Sequence, residues 1–174
     1  MKYEALAQPG KIGSLEIKNR IVMPALNNNY THNAFMTDES IDFYVARARG
    51  GAGLVIVEAT SVDYPRSRSV LNPAIDDEKY LPGFQAIADG CHKYGAKVMV
   101  QLSHVGRQTR RSTTGMDPVA PSPIASKSPL YPDTPHVLTI PEIKEIVGMF
   151  GKGAEIAKKA GLDGVELIFA HGYL

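Results

Sequence analysis

The sequence predicts an α/β fold built on a parallel sheet, and three observations carry that expectation. Four short apolar runs are separated by segments of helical period, each helical segment ends in glycine just before the next apolar run, and the runs are continuous rather than alternating. Continuity means that both sheet faces are covered, as in a barrel or a doubly wound sheet. The strand, helix, strand rhythm implies right-handed crossovers.

The runs are Arg20-Ile-Val-Met23, Leu54-Val-Ile-Val57, Val98-Met-Val100 and Val165 to Ile168. Between them, Ile41, Tyr44, Val45 and Ala48 follow the i, i+3, i+4, i+7 rule, as do Phe84, Ile87, Ala88 and Cys91, and again Ile143, Ile146, Val147 and Phe150. Thr37-Asp38-Glu39 supplies one helix start, and Thr139-Ile-Pro-Glu142 combines a capping box with proline in the first turn of another. The stops are Gly50-Gly-Ala-Gly53, Gly95 and Gly161. Ahead of the first strand, Gly10 to Ile17 reads as a hairpin. The third connection, 104–138, carries six prolines (118, 121, 123, 129, 132 and 135) and no helical period, so a lid or binding loop is expected there.

Composition narrows the function classes. The 174 residues with 44% hydrophobic and 21% charged content suit one soluble globular domain. A formal charge of +1 leaves no global field to gather nucleic acid or a membrane surface, so specific pockets must supply recognition. The single cysteine, Cys91, excludes an internal disulfide and a cysteine-ligated cluster, which fits a reducing compartment. The start lacks the apolar core of a signal peptide and no stretch is long enough to span a bilayer, so the cytoplasm is the expected location. His32, His92 and His136 lack metal-ligand spacing, and no metal is expected.

Polar and small residues gather just after the apolar runs, at the end of a parallel sheet where ligands bind. Pro24-Ala-Leu-Asn27 follows the first run, Glu58-Ala-Thr60 the second, Gln101-Leu-Ser-His104-Val-Gly-Arg107 the third and Ala170-His-Gly-Tyr173 the fourth. Ala25 and Ala59 are small enough to let a flat ring approach the backbone. Gln101 offers a carboxamide that both donates to and accepts from a heterocycle's imide edge.

In order, these stretches resemble the Old Yellow Enzyme family of FMN-dependent oxidoreductases: Leu15-Glu-Ile-Lys-Asn-Arg-Ile-Val-Met-Pro-Ala25, Gly53-Leu-Val-Ile-Val-Glu-Ala-Thr60, Val100 to Arg107, Ala120-Pro-Ser122, and Ala160 to Glu166 with His171-Gly-Tyr-Leu174. The resemblance implies a parallel (β/α)8 TIM barrel with FMN at its carboxyl mouth. Residues 1–174 would form the amino-terminal half of that FMN-binding domain: the first four strands, three crossover helices, an amino-terminal hairpin and the lid-like loop. By position, Pro24, Ala25, Ala59 and Gln101 line the isoalloxazine, and Asn27 stands near its reactive edge, where the family usually has Thr or Cys. His171 hydrogen-bonds the substrate's activating group and Tyr173 is the proton donor. NAD(P)H reduces the flavin, which passes hydride to an activated alkene such as an enoate, enone or dienoyl thioester.

One departure from the family pattern matters. Many ene-reductases carry a second donor three residues before the histidine, and here Ile168 occupies that place. Loss of one such donor costs about 10²–10³ in rate, which makes a simple enone less expected than an alternative such as a dienoyl thioester.

The same residues have blander readings. A lone strand-end histidine is most often structural, and a lone tyrosine there is most simply a half-buried aromatic. His104 and Arg107 suit loop anchoring as well as ligand contact, while Arg107, Arg110 and Arg111 together could grip a nicotinamide or CoA phosphate. Gly50 to Gly53 precedes a strand and so is a helix stop rather than a phosphate loop. A Schiff-base lyase barrel is disfavoured because Lys97 opens its strand instead of leaving it. The alternative from another class is a flavin-free half barrel with a structural role. In either case the open sheet edges of a half barrel are expected to drive self-association.

Overall fold

The computed structural model describes residues 3–68 and 71–174; residues 1 and 2, part of the start that was read for a signal peptide, lie outside it. A short helix, α1 (Glu4–Ala7), leads into strands β1 (Gly10–Ile12) and β2 (Leu15–Ile17), which pair antiparallel as the expected hairpin. The main sheet is parallel and orders β3 (Val22–Met23), β4 (Leu54–Ser61), β5 (Lys97–Ser103) and β8 (Gly164–Leu167) side by side, with every carboxyl end on one rim. Helices α2 (Asp38–Arg49), α3 (Leu81–His92) and α5 (Ile140–Lys159) make the crossovers.

The helices start and stop where local chemistry directs. Thr37 Oγ1 accepts the Ser40 amide at 3.2 Å, and Thr139 and Glu142 form the reciprocal capping box that encloses Pro141. Gly95 and Gly161 adopt left-handed φ values of +68° and +80° just before β5 and β8, a conformation that costs other residues energy. The apolar stripes then pack on one face of the sheet. Tyr44, Ala48, Phe84, Ile87, Cys91, Ile156 and Ala157 bury against Val55, Val57, Val98, Val100 and Leu102.

The opposite face is covered less completely. There Ile17 of the hairpin packs on Leu54 and Ile56, with Ala25 and Met99 beside them. The expectation that the strands are buried on both faces therefore fails for β5, in which Val98, Val100 and Leu102 are buried while Lys97, Met99 and Gln101 are half-buried. The apolar runs also understated the strands. β4 continues through Glu58, Thr60 and Ser61 because a bulge between Val57 and Thr60 keeps its polar end paired to β5.

The proline-rich connection is more ordered than its sequence suggests. It contains a one-turn helix, α4 (Arg111–Thr114), and two-residue strands β6 (Val119–Ala120) and β7 (His136–Val137), which pair in parallel. Val119 and Leu138 bury against Ile146, which tacks the base of the loop to α5. No helix among the described residues is long and apolar enough to cross a membrane, and no group of three histidine, cysteine or acidic residues among them could hold a metal ion.

Two buried carboxyls behave in opposite ways. Asp163 enters β8 and accepts hydrogen bonds from His92 Nε2 (2.7 Å), Lys97 Nζ (2.8 Å) and the Val98 amide (2.8 Å). Burial disfavours its charge, but these donors outweigh burial and hold the carboxyl below its ordinary value. Its contribution to stability is thus present above the ordinary carboxylate range and fades as pH falls through the lowered value. Asp163→Asn should cost about 1–3 kcal/mol of unfolding free energy at neutral pH, read by denaturant titration. An unchanged midpoint would show that the cluster holds nothing in place.

Glu58 is fully buried. Tyr44 Oη accepts the Glu58 amide and donates to Glu58 Oε1, both at 3.1 Å, and Glu58 Oε2 has no partner. Burial pushes the carboxyl up to about 7, against the opposing hydrogen bond of the Tyr44 hydroxyl and the nearby Asn28 backbone. The folded state therefore binds this proton more tightly than the unfolded state, and the associated stability is lost as pH rises from the ordinary carboxylate value through about 7. Glu58→Gln should flatten that loss, which is on the order of 1–3 kcal/mol between about pH 5 and pH 8. Parallel stability curves for the two proteins would assign the proton elsewhere.

Candidate active site

The rim formed by the strand carboxyl ends carries the polar residues, and residues from all four strand ends meet in one small cavity. This cavity, ≈ 50 Å³, is lined by Asn27 after β3, Ala59 on β4, Ser103, Val105 and Gln108 at the β5 exit, and Tyr173 after β8, with Asn72 and the lid residue Tyr131. Asn27, Ala59 and Tyr173 were expected at the site from sequence; Asn72, Ser103, Gln108 and Tyr131 were not. Ser103 and Gln108 lie in or beside the quoted β5-exit motif and could have been read from it. Asn72 and Tyr131 are brought in by loop closure and left no sequence signal.

The other expected residues lie nearby but outside this cavity. Ala25 packs on the inner sheet face with Met99, next to Pro24 at the end of β3. Gln101 is half-buried on β5 and donates from Nε2 to Glu166 Oε1 of β8 at 2.6 Å, leaving its own carbonyl oxygen as an acceptor. His171 is exposed, with its ring centroid 6.1 Å from that of Tyr173 at 67°. Ile168 lines a different space, an apolar cavity of ≈ 370 Å³ between α5 and the lid, whose polar member, His104, is already committed elsewhere.

That commitment anchors the rim. His104 Nδ1 accepts the Gly106 amide at 3.0 Å, so the Nε2 proton faces Asp63 Oδ2, 3.4 Å away, with the imidazole fully buried. Burial opposes the Asp63 charge, but the His104 N–H that faces it and the nearby Arg66 outweigh burial and hold the carboxyl below its ordinary value. Ser67 Oγ accepts the Val105 amide at 2.8 Å, a second tie between the β4 and β5 exits. The β8 exit is tied to the same loop. Gln108 Nε2 donates to the His171 carbonyl, and the Leu174 amide donates to the His104 carbonyl at 3.3 Å. Gly106 is required for this closure because a Cβ there would lie 2.7 Å from the Leu174 nitrogen. His171 sits at φ +61°, a left-handed conformation unusual for a non-glycine residue and concentrated at functional sites.

This rim suits a flat heterocycle. Ala25 and Ala59 leave the backbone of two strand ends open to a ring, and the Gln101 carbonyl stands on the inner face for an N–H donor. Asn27, Gln108 and Tyr173 add side chains able to donate or accept hydrogen bonds in the adjoining cavity.

Comparison with known proteins agrees with this geometry. The profile of the NADH:flavin oxidoreductase / NADH oxidase family matches residues 5–174. The chain is 46% identical over 175 residues to an NADH oxidase of Thermoanaerobacter brockii, covering 99% of the chain and 27% of that protein. It is 40% identical over 181 residues to a cinnamate reductase of Clostridium sporogenes, covering 99% and 27%. Among solved structures, morphinone reductase superposes with a TM-score of 0.90 at 31% identity over 98% of this chain and 49% of that one. The 2-naphthoyl-CoA reductase complex superposes with a TM-score of 0.92 at 28% identity over 99% and 28%. The chain spans between 25% and 48% of the length of the curated relatives compared. FMN and NAD(P)H are the cofactors of this family, and the Old Yellow Enzyme barrels among the solved structures share the present sheet and helices. By fold, rim geometry and sequence, the chain belongs to the NADH:flavin oxidoreductase / NADH oxidase family of FMN-dependent oxidoreductases.

Proposed function

We propose that this chain supplies the proton-delivering part of an active site that reduces activated alkenes (enoates, enones or dienoyl thioesters) at the expense of NAD(P)H. The observation that carries this reading is the meeting of Asn27, Ala59 and Tyr173, from three separate strand exits, in one cavity. Bound FMN supplies a hydride carrier between nicotinamide and alkene. Pro24, Ala25 and Ala59 are assigned to the ring face, Gln101 to its imide edge and Asn27 to its reactive edge. His171 binds the activating group of the substrate, and Tyr173 gives its Oη proton to the α-carbon as the β-carbon is reduced. The names of two relatives, a cinnamate reductase and a 2-naphthoyl-CoA reductase, accord with an enoate or thioester substrate. One buried cysteine accords with a cytoplasmic location.

The test separates two half-reactions. In FMN-loaded protein, Tyr173→Phe should leave flavin bleaching by NAD(P)H intact and slow alkene reduction by about 10²–10⁴-fold, measured by stopped flow. Equal slowing of both steps would remove Tyr173 from the role of donor.

A second reading, a flavin-free associating half barrel, is favoured by apolar exposure on one side. Val147 is 65% exposed and Phe169 76% exposed, both bordering the ≈ 370 Å³ apolar cavity, and β8 is an edge strand beside them. On this reading the chain sediments as a dimer or larger species with no flavin absorbance, and the pair Val147→Glu and Phe169→Glu raises the dissociation constant by about tenfold or more. A monomer at all concentrations would end it.

A further inference from the structure

We propose that the groove between the lid and the β8 exit binds an adenosine diphosphate moiety, the part shared by nicotinamide dinucleotides and coenzyme A thioesters. Placing the reacting end of such a ligand in the mouth cavity rests on the function proposed above; the groove itself is argued from its own chemistry. At ≈ 500 Å³ it has room for a nucleotide, whereas the mouth cavity at ≈ 50 Å³ has none. Gln108 lines both spaces, which places them side by side.

The groove gathers cations with no acid among its lining residues. Arg107 and Lys127 line it, and among the described residues neither is paired with a carboxylate. The neighbouring arginine shows the contrast, because Arg111 is bound to Asp117 and its amide to Asp133. Arg107 is held in place, with Nη1 donating to the Ile124 carbonyl at 3.0 Å. Its Nη2 lies 3.7 Å from where a Cβ on Gly172 would stand, so the absence of that side chain keeps the guanidinium's remaining donors open to the groove. A fixed planar fork of this kind matches phosphate oxygens.

Two hydroxyls add donors of the right type. Ser126 Oγ accepts the Ser128 amide at 3.2 Å and Ser128 Oγ accepts the Leu130 amide at 3.3 Å, so each hydroxyl proton remains to be donated. Two cations and two hydroxyl donors suit a group carrying two or more negative charges better than a lone carboxylate. Ile124, 62% exposed at the same groove, offers an apolar surface for the flat base.

The experiment titrates the full chain, without added flavin, with ADP and with uncharged adenosine, followed by calorimetry. ADP should bind and adenosine should bind at least about tenfold more weakly, with the difference shrinking as salt is raised. Lys127→Gln decides the matter without risk to the fold, since Lys127 is exposed and its ammonium bonds to nothing among the described residues. It should weaken ADP binding several-fold at an unchanged melting temperature. Arg107→Gln should weaken it by about tenfold or more, and Arg107→Lys should recover part of the loss. Tighter binding of ADP-ribose than of coenzyme A identifies a dinucleotide as the source of the moiety, and the reverse order a thioester. Equal binding of ADP and adenosine, or wild-type ADP affinity in folded Lys127→Gln and Arg107→Gln, overturns the proposal. Failure here leaves the Tyr173 half-reaction test untouched, and failure of that test leaves the ADP titration untouched.

Discussion

Asp163 sets the register on which the active rim depends. Its carboxylate and backbone close a reciprocal pair with Val98, the Asp163 amide donating to the Val98 carbonyl at 2.8 Å and the Val98 amide to Oδ2 at 2.8 Å, while Lys97 neutralises the charge and His92 adds a hydrogen bond. From that point β8 runs beside β5 with Met99 opposite Gly164, Gln101 opposite Glu166 and Leu102 opposite Leu167. A slip of one residue would turn each side chain of β8 to the other face. It would also carry His171 and Tyr173 away from the loop that catches them, so a salt-bridged aspartate at the floor of the sheet fixes the height of a tyrosine at its top.

At the top, the chain uses buried side-chain bonds to hold loops that lack periodic structure. His104 to Asp63, Ser67 to Val105 and Gln108 to His171 join three successive exits, so the rim behaves as one unit although its segments are far apart in sequence. The carboxyls of the fold follow two different logics. Asp63 and Asp163 have cationic or hydrogen-bonding partners that outweigh burial, whereas Glu58 meets only a phenol and an amide and is driven toward its neutral form. Neutral Glu58 can remain under the rim without a counter-charge.

The sequence makes this architecture legible wherever one residue's neighbours lie at a fixed period. The three crossover helices declare themselves by their stripes and caps, and the parallel strands by apolar runs stopped by glycine. Strand ends are less legible, because Glu58, Thr60 and Ser61 read as polar loop while the bulge and the pairing with β5 keep them in the sheet. The two-residue strands of the lid are too short to show any period. That Asn27, Ala59 and Tyr173 stand together on the rim was legible because a strand exit is a predictable place. Tyr131 and Asn72 were not, since their position follows from how a long loop folds back. The bond between Gln101 and Glu166 is of the same kind, since it exists only at the β5 to β8 register and nothing local in either segment announces it.

The apolar residue at position 168 follows from this geometry. Ile168 opens onto the cavity formed with Leu138, Ile143, Ile146 and Val147, not onto the mouth lined by Tyr173. A histidine or asparagine there would meet apolar walls with few partners, and burying an unpaired polar group costs roughly 1–3 kcal/mol. The polarising contacts of the proposed reaction must then come from the other side of the exit turn. The left-handed backbone at His171, held by Gln108, swings the turn so that Tyr173 reaches the cavity that Asn27, Gln108 and Tyr131 also line. Polar groups from the lid and from the β3 and β5 exits thus surround Tyr173, whereas position 168 faces the apolar cavity on the other side.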